Sequence, residues 1–226
     1  MEHIPAPKLL NWASSIPQHY QTDKSILLTN GCSFTASTNQ LECAASWPGF
    51  VVDRCGFDHG IDWSYPGVGN EYIGNSIINH LNNTNDIGKY FVIVMWSGLD
   101  RTTRGLSVDE TVRLSADKIF EVYNYLIKRN IPFGFSFYCN LLFPPYIPKR
   151  DSSPNFEQYL DKTTLKKIRD LPWIPREPMD FMFEFGFKHD LLAEDFFHPN
   201  LLCTEKWTDE ILLPGLFAQN LIRKIA

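Results

Sequence analysis

Short apolar segments alternate with helix-like amphipathic segments through the first two thirds of this 226-residue chain. Each apolar segment is followed by turn residues or a polar stretch, as buried strands are, and the four are Ile26 to Thr29, Ile61 to Tyr65, Phe91 to Trp96 and Ile131 to Tyr138. Such alternation favours parallel strands joined by right-handed crossovers. We therefore expect an α/β fold, a three-layer α/β/α sandwich whose reactive residues gather at the carboxyl edge of the sheet.

Helix signals occupy the segments between these strands. The predicted helices are Pro48 to Arg54, Glu71 to Leu81 and Val108 to Lys128. Ser46 is a possible cap for the first helix and Gly56 a stop, whereas Ser107 and Glu110 form a capping-box pattern before the third.

The last third of the chain has a different texture, since seven of the fifteen prolines fall between residues 141 and 180. We interpret 141–180 as a stiffened cap or partner-contact insertion on the surface of one domain spanning 1–226, with one short helical candidate at Phe156 to Ile168. Residues 181–196 have the pattern of a helix or helix pair. Thr204 to Ile225 predicts a closing helix that Pro214 and Gly215 should kink or split.

Composition limits the partners of the chain. The net charge is −5 and Lys and Arg form no block, which argues against a nucleic-acid partner. The N-terminus has no signal-type pattern and the apolar runs are too short to cross a bilayer, so we expect a cytoplasmic protein without a membrane partner. The odd, scattered cysteines lack metal-type pairs and predict buried free thiols in a reducing compartment: Cys32, Cys43, Cys55, Cys139 and Cys203.

Ser33 follows the first predicted strand, in the segment KSILLTNGCSFTAST at residues 24–38. A nucleophile at the carboxyl edge of a sheet would be presented in this way, although the same pattern suits an ordinary turn. A serine is a poor nucleophile until an oriented imidazole removes its proton. Cys32 is the less favoured alternative nucleophile.

The segment EDFFHPN near the C-terminus supplies an imidazole. Asp195 precedes His198 by three residues, so in a turn its carboxylate can reach Nδ1, fix the ring tautomer and stabilise the imidazolium formed when Nε2 takes a proton. Pro199 disfavours helical backbone at His198. We therefore group Asp195 and His198 with Ser33 as the candidate catalytic residues.

The segment Pro66-Gly67-Val68-Gly69-Asn70 follows the second predicted strand and could hold an oxyanion. Backbone N–H groups serve this purpose where glycine lets the chain approach closely, so Gly67 or Gly69 could donate. Asn70 could donate its side-chain amide or cap the following helix. A plain loop with an Asn cap is the alternative interpretation.

Four segments, NGCSFT, YPGVGNEYI, VIVMWSGLDR and EDFFHPN, resemble in order and spacing the signature blocks of the SGNH (GDSL-like) hydrolase superfamily. The resemblance covers roughly Ile26 to Trp207. It implies a flavodoxin-like parallel sheet of about five strands, no metal or other cofactor, and esterase or acyl-transfer chemistry. By position it implies Ser33 as nucleophile and first oxyanion donor, Gly67 as second donor, and Asp195 with His198 as the rest of a catalytic triad.

The third block departs from the superfamily pattern. Gly-x-Asn-Asp is usual there and its asparagine is the third oxyanion donor, whereas this chain has Ser97-Gly98-Leu99-Asp100-Arg101. An ionised Asp100 would repel an oxyanion. Ser97 could donate instead, Arg101 could hold an acidic or sugar group of the substrate, or Asp100 and Arg101 could pair with each other.

These observations favour a serine ester hydrolase, with a small-molecule or glycan ester as substrate and carbohydrate O-deacetylation or acyl transfer as specific forms of the activity. The altered third block motivates an alternative from another class, a catalytically decayed module of the same fold that binds a glycan or a protein. A flavodoxin-like nucleotide or flavin binder is a third, weaker interpretation, because no dinucleotide glycine fingerprint is present.

Overall fold

The structure is a computed structural model, and it describes residues 6–10, 20–36, 46–101, 105–146, 154–195 and 197–225. The predicted thiol of Cys43 lies outside the described residues. The four cysteines inside them are buried thiols that form no disulfide, as predicted. Within the same ranges, no helix combines the length and apolar character needed to span a bilayer.

A five-stranded sheet forms the centre of the molecule, with a separate two-stranded pair beside it. The strands are β1 Lys8–Leu10, β2 Tyr20–Gln21, β3 Ile26–Gly31, β4 His59–Asp62, β5 Tyr90–Trp96, β6 Phe133–Phe137 and β7 Arg223–Lys224. The main sheet has the order β1-β4-β3-β5-β6, in which β4, β3, β5 and β6 are parallel. This order is the flavodoxin-like arrangement, so the predicted fold class is confirmed.

Two features of the sheet were not predicted. Strand β1 pairs antiparallel with β4 and closes that edge of the sheet. At the other edge, Trp173 forms a single parallel bridge with Phe135, and the N–H of Ile174 donates to the Phe135 carbonyl at 2.8 Å. The proline-rich insertion thus occupies the position where a further parallel strand would add.

Seven α-helices surround the sheet in the described part of the chain: α1 Trp47–Cys55, α2 Asn70–Asn82, α3 Val108–Lys128, α4 Lys162–Arg169, α5 Met182–Lys188, α6 Leu201–Trp207 and α7 Leu213–Ala218. Helices α2 and α3 pack closely, since a Cβ at Gly74 would lie 2.5 Å from the Lys118 side chain. Helix α1 contacts α6 instead. The capping box of α3 is present, and Gly56 ends α1 in the left-handed region with φ of 67°.

The insertion also contributes to the core. Phe156, Ile168 and Trp173 are fully buried, and Arg169 Nε donates to the Leu142 carbonyl at 2.7 Å. The predicted helix from Phe156 to Ile168 is divided into a short 3-10 turn and α4, because Asp161 caps α4 through the backbone N–H groups of Thr163 and Thr164.

The C-terminal helices differ from the prediction. Helix α5 ends at Lys188, and the described residues among 189–200 form a loop in which Leu192 bridges Pro199. The predicted closing helix from Thr204 to Ile225 begins at Leu201 and stops at Ala218, with a π-helical segment, Thr208–Leu212, between α6 and α7. Pro214 lacks the N–H that an α-helix would require there, which explains the irregular turn just before it.

Candidate active site

Ser33 lies in a tight turn directly after β3. The backbone N–H groups of Thr35 and Ala36 both donate to the Cys32 carbonyl at 2.9 Å, which closes one helical turn. A Cβ at Gly31 would lie only 2.0 Å from Thr35 Oγ1, so the turn requires glycine at that position. Ser33 is partly exposed, whereas Cys32 is fully buried. The turn therefore presents the serine, and the less favoured thiol lies in the core.

Asn30 holds this turn against α2. Its Oδ1 accepts the N–H of Gly31 at 2.7 Å, and its Nδ2 donates to the Ile73 carbonyl at 3.1 Å. The sequence analysis missed this residue, although an asparagine at the buried end of a strand is a signal, because a buried amide must find hydrogen-bond partners.

His198 reaches Ser33 across 165 positions of sequence. Its Nε2 lies 2.9 Å from Ser33 Oγ, and its Nδ1 lies 2.5 Å from Asp195 Oδ2. Asp195 Oδ1 accepts the backbone N–H groups of Phe197 and His198, each at 2.9 Å. The structure therefore brings together all three residues of the candidate catalytic set.

The charge on Asp195 determines the direction of these hydrogen bonds. Desolvation raises the pKa of Asp195, but the hydrogen bonds from the His198 ring and from two backbone N–H groups outweigh it and lower that pKa to about 2. An ionised carboxylate only accepts, so His198 Nδ1 carries the proton. In the neutral ring Nε2 is then the acceptor, and Ser33 Oγ–H donates to it.

The loop 189–200 positions His198. The N–H of Ala193 donates to the His198 carbonyl at 2.7 Å, and the N–H of Asn200 donates to the Leu191 carbonyl at 3.0 Å. Phe34, next to Ser33, packs against the His198 ring with a centroid distance of 5.2 Å. The serine turn and the histidine loop are thus joined by aromatic packing as well as by the hydrogen bond.

The loop after β4 contains the predicted oxyanion donors. Gly67 is exposed with φ of +81°, and a Cβ there would meet no atom within 4 Å. Gly69 approaches the Arg101 carbonyl so closely that a Cβ would lie 2.2 Å from the oxygen. The cap of α2 is Gly69, so the alternative in which Asn70 caps this helix is not observed.

The side chain of Asn70 contacts the loop after β5 instead. Its Oδ1 accepts the Ser97 N–H at 2.8 Å, and its Nδ2 donates to the Ser97 carbonyl at 3.3 Å. The sequence analysis did not anticipate this pair of bonds, which joins two loops at the carboxyl edge of the sheet.

The altered third block is divided between the core and solvent. Ser97 is fully buried, and its Oγ has no hydrogen-bond partner in the described part of the chain. Leu99 is fully buried, whereas Asp100 is exposed. No ion pair joins Asp100 and Arg101 among the described residues, so the expected pairing of the two is not observed there. Likewise, the described residues contain no cluster of three His, Cys, Asp or Glu side chains that could hold a metal ion.

No family model matches the chain, and no curated protein matches it in sequence. Solved structures do match its fold. One is TesA, with a TM-score of 0.56 and 16% identity over 84% of this chain and 97% of that one. A second is a member of the lipolytic G-D-S-L family from Veillonella parvula, with a TM-score of 0.56 and 8% identity over 85% of this chain and 96% of that one. A third is a catalytic mutant of Axe2, an acetylxylan esterase from Geobacillus stearothermophilus, with a TM-score of 0.54 and 14% identity over 85% of this chain and 94% of that one. The chain has the fold of the SGNH (GDSL-like) hydrolases.

Proposed function

We propose that this protein is a serine ester hydrolase in which Ser33 is the nucleophile, His198 the general base and Asp195 the residue that orients the imidazole. The observation that carries the proposal is the continuous hydrogen-bond chain from Asp195 through His198 to Ser33. The similarity in fold to lipolytic and acetylxylan-esterase structures supports the same reaction class.

The reaction follows from the direction of the two hydrogen bonds. Ser33 Oγ attacks the carbonyl carbon of the ester while His198 Nε2 takes the hydroxyl proton. The tetrahedral intermediate then breaks its bond to the leaving alcohol, whose oxygen takes the proton from Nε2. Water, or a sugar hydroxyl in acyl transfer, attacks the acyl-enzyme with His198 again as base, and Ser33 leaves with the proton restored.

Backbone donors stabilise the oxyanion in this proposal. The N–H groups of Ser33 and Gly67 lie in turns at the carboxyl ends of neighbouring strands, and each such donor contributes on the order of a hundredfold or more to the rate. Asp100 is a poor third donor because its carboxylate would repel the oxyanion. We propose that the exposed Tyr65, whose N–H donates to the Gly31 carbonyl at 3.2 Å, and Arg101, whose carbonyl lies against Gly69, contact the substrate.

A glycan acetyl ester is the substrate class that we propose within this activity. Axe2, whose structure is similar in fold, is an acetylxylan esterase, and the small acetyl group needs no large acyl pocket. Carbohydrate O-deacetylation and transfer of the same acyl group to a sugar hydroxyl differ only in the acceptor that attacks the acyl-enzyme.

A binding module without turnover is the second candidate function. Leu99 and Asp100 stand in the block where the superfamily usually supplies an asparagine donor, and neither replaces that amide. Such a module would retain glycan binding in Ser33→Ala and show no hydrolysis in the wild type.

Labelling with a fluorophosphonate and hydrolysis of p-nitrophenyl acetate test the proposal. Wild-type protein should be labelled at Ser33, and Ser33→Ala should lose labelling and about a thousandfold or more in kcat. Cys32→Ala is the matched control, because it removes the adjacent nucleophile and should keep both signals. Equal hydrolysis by wild type and Ser33→Ala would refute the esterase.

A further inference from the structure

A groove of about 560 Å³ lies along α2, outside the set formed by Ser33, His198 and Asp195. It lies between α2 and the segments that follow β4 and precede β5. The residues that matter for its chemistry are Trp63, Tyr72, Asn79, His80, Asn83 and Tyr90.

A hydrogen-bond chain fixes the aromatic side chains of this groove. Trp63 Nε1–H donates to His80 Nδ1 at 3.2 Å, and an indole nitrogen can only donate, so Nδ1 is the unprotonated nitrogen. His80 Nε2–H then donates to Tyr90 Oη at 3.2 Å. Burial lowers the pKa of His80, which agrees with a neutral ring. Tyr72 adds a further bond from its hydroxyl to the Trp63 carbonyl at 3.2 Å.

The lining of the groove carries no formal charge. Among the described residues, no Asp, Glu, Lys or Arg side chain lines it, although 21% of the chain is charged. Lys118 approaches the rim, where its Nζ donates to Asn75 Oδ1 at 2.7 Å, but Glu121 pairs with it. A charged ligand would therefore give up hydration in the groove without gaining a counter-charge. A neutral ligand would not have that cost.

Exposed amides of α2 and its C-cap line one side of the groove. Asn79 and Asn83 are one turn apart and exposed, and the Asn79 amide offers donors and an acceptor. Asn83 Nδ2 donates to the Asn79 carbonyl at 2.7 Å, which leaves its second N–H and its Oδ1 for a ligand. Two partly exposed aromatic rings also line the groove: Tyr72, two turns before Asn79 on α2, and Trp63, directly after β4. Aromatic faces bind flat apolar surfaces, and amides bind hydroxyl groups. A pyranose ring presents both, with C–H groups on its face and hydroxyls around its edge.

We propose that this groove binds a neutral oligosaccharide, with sugar rings on Trp63 and Tyr72 and hydroxyls on Asn79 and Asn83. The segment of α2 from Tyr72 to its C-cap at Asn83 is about 16 Å long at 1.5 Å per residue, which suits several sugar units rather than one. This binding site is separate from the proposed ester hydrolysis and does not depend on it.

The groove begins beside the proposed catalytic edge. The N–H of Trp63 donates to the Thr29 carbonyl of β3 at 3.0 Å, and the N–H of Tyr65 donates to the Gly31 carbonyl at 3.2 Å. Trp63 thus directly follows β4, the neighbour of β3, and Ser33 lies in the turn after β3. A glycan held in the groove extends along α2 with one end near that edge.

Isothermal titration calorimetry with xylohexaose and cellohexaose tests this proposal. Both probes are neutral, unbranched and free of ester groups, so binding needs no Ser33 chemistry, and Ser33→Ala should bind as wild type does. Trp63→Ala should bind at least tenfold more weakly, and Asn79→Ala several-fold more weakly. Phe217→Ala is the control, because Phe217 is an exposed aromatic residue outside the groove and its loss should leave binding unchanged.

The Asn79→Ala variant keeps the test valid if Trp63→Ala does not fold, since the Asn79 side chain is exposed and its removal leaves the core intact. Thermal melting shows whether Trp63→Ala is folded and has lost binding or is unfolded. Absence of binding to both sugars at millimolar concentration, or binding that neither substitution weakens, would overturn the proposal. A Ser33→Ala protein that kept full esterase activity would refute the proposed hydrolase and leave the groove unaffected.

Discussion

Asn70 on α2 and Ser97 after β5 are joined by two hydrogen bonds between the Asn70 side chain and the Ser97 backbone. Both residues are buried, and the bonds hold together the loops that follow β4 and β5. One of these loops contains Gly67 and the other contains Asp100 and Arg101. The shape of the site at the carboxyl edge thus depends on an amide that has no direct part in the proposed reaction.

Replacing Asn70 by Ala should therefore affect both stability and activity. The Ser97 N–H and carbonyl would lose their buried partners, which should lower the free energy of unfolding by about 2 to 3 kcal/mol. Urea denaturation measures this change. Asn85→Ala, on an exposed loop, is the control and should change it by less than about 0.5 kcal/mol. Equal stability of the two variants would contradict the supporting role of Asn70.

Gly31→Ala should displace the serine turn. The added methyl would lie 2.0 Å from Thr35 Oγ1 and 2.9 Å from the Met95 carbonyl, so the turn must shift. A shift of about 1 Å in Ser33 should reduce ester hydrolysis by about a hundredfold. Gly88→Ala is the matched control, because its nearest contact would be Asp86 Oδ1 at 3.9 Å. Full activity of Gly31→Ala would show that the turn tolerates a side chain there.

The pH dependence of stability should include a contribution from Asp195. Its folded-state pKa of about 2 lies below the usual value of about 3.9, so its contribution is present above pH 4 and lost as the pH falls through about 2. In Asp195→Asn this acid-dependent part should disappear. Chemical denaturation at pH 5, 4, 3 and 2 gives the free energy of unfolding of wild type and variant as a function of pH. If both proteins lost stability equally as the pH falls, the contribution of Asp195 would be contradicted.

Arg54 should stabilise the packing of α1 on the C-terminal helices. It is 4% exposed and pairs with Asp53, Glu205 and Asp209 at 2.9 to 3.2 Å. Arg54→Ala should lower the free energy of unfolding by about 2 kcal/mol. This is less than the usual cost of breaking a buried pair, because two of the carboxylates can reach water. Arg113→Ala removes an exposed pair and should cost less than about 0.5 kcal/mol. Thermal melting distinguishes the two variants.

The parts of the fold that follow from local patterns were predictable. Strand β5 is a continuous apolar run, and β3 begins with three apolar residues before Thr29 and Asn30. The capping box marks the start of α3. The prediction that Ser33 and His198 would meet depended on the sheet topology and on the resemblance to a known superfamily, since no local signal connects residues so far apart in sequence.

Features that depend on tertiary contacts were not predictable in the same way. Strand β1 has only three residues and forms because the edge of β4 is available to it. The sequence of 181–196 has a helical pattern, but α5 ends at Lys188 and Asp190 takes φ of 55° in the loop that carries His198. The Asn70 bonds to Ser97 join positions 27 residues apart, and a single sequence gives no sign of such a pair.

Trp173 also affects how the sheet meets other molecules. Its single bridge to Phe135 lies between Pro172 and Pro175, neither of which has an N–H to donate. A strand arriving from a neighbouring copy would find the margin of β6 already covered by a segment that cannot extend a ladder. The prolines of the insertion therefore protect this sheet against intermolecular β-pairing and aggregation.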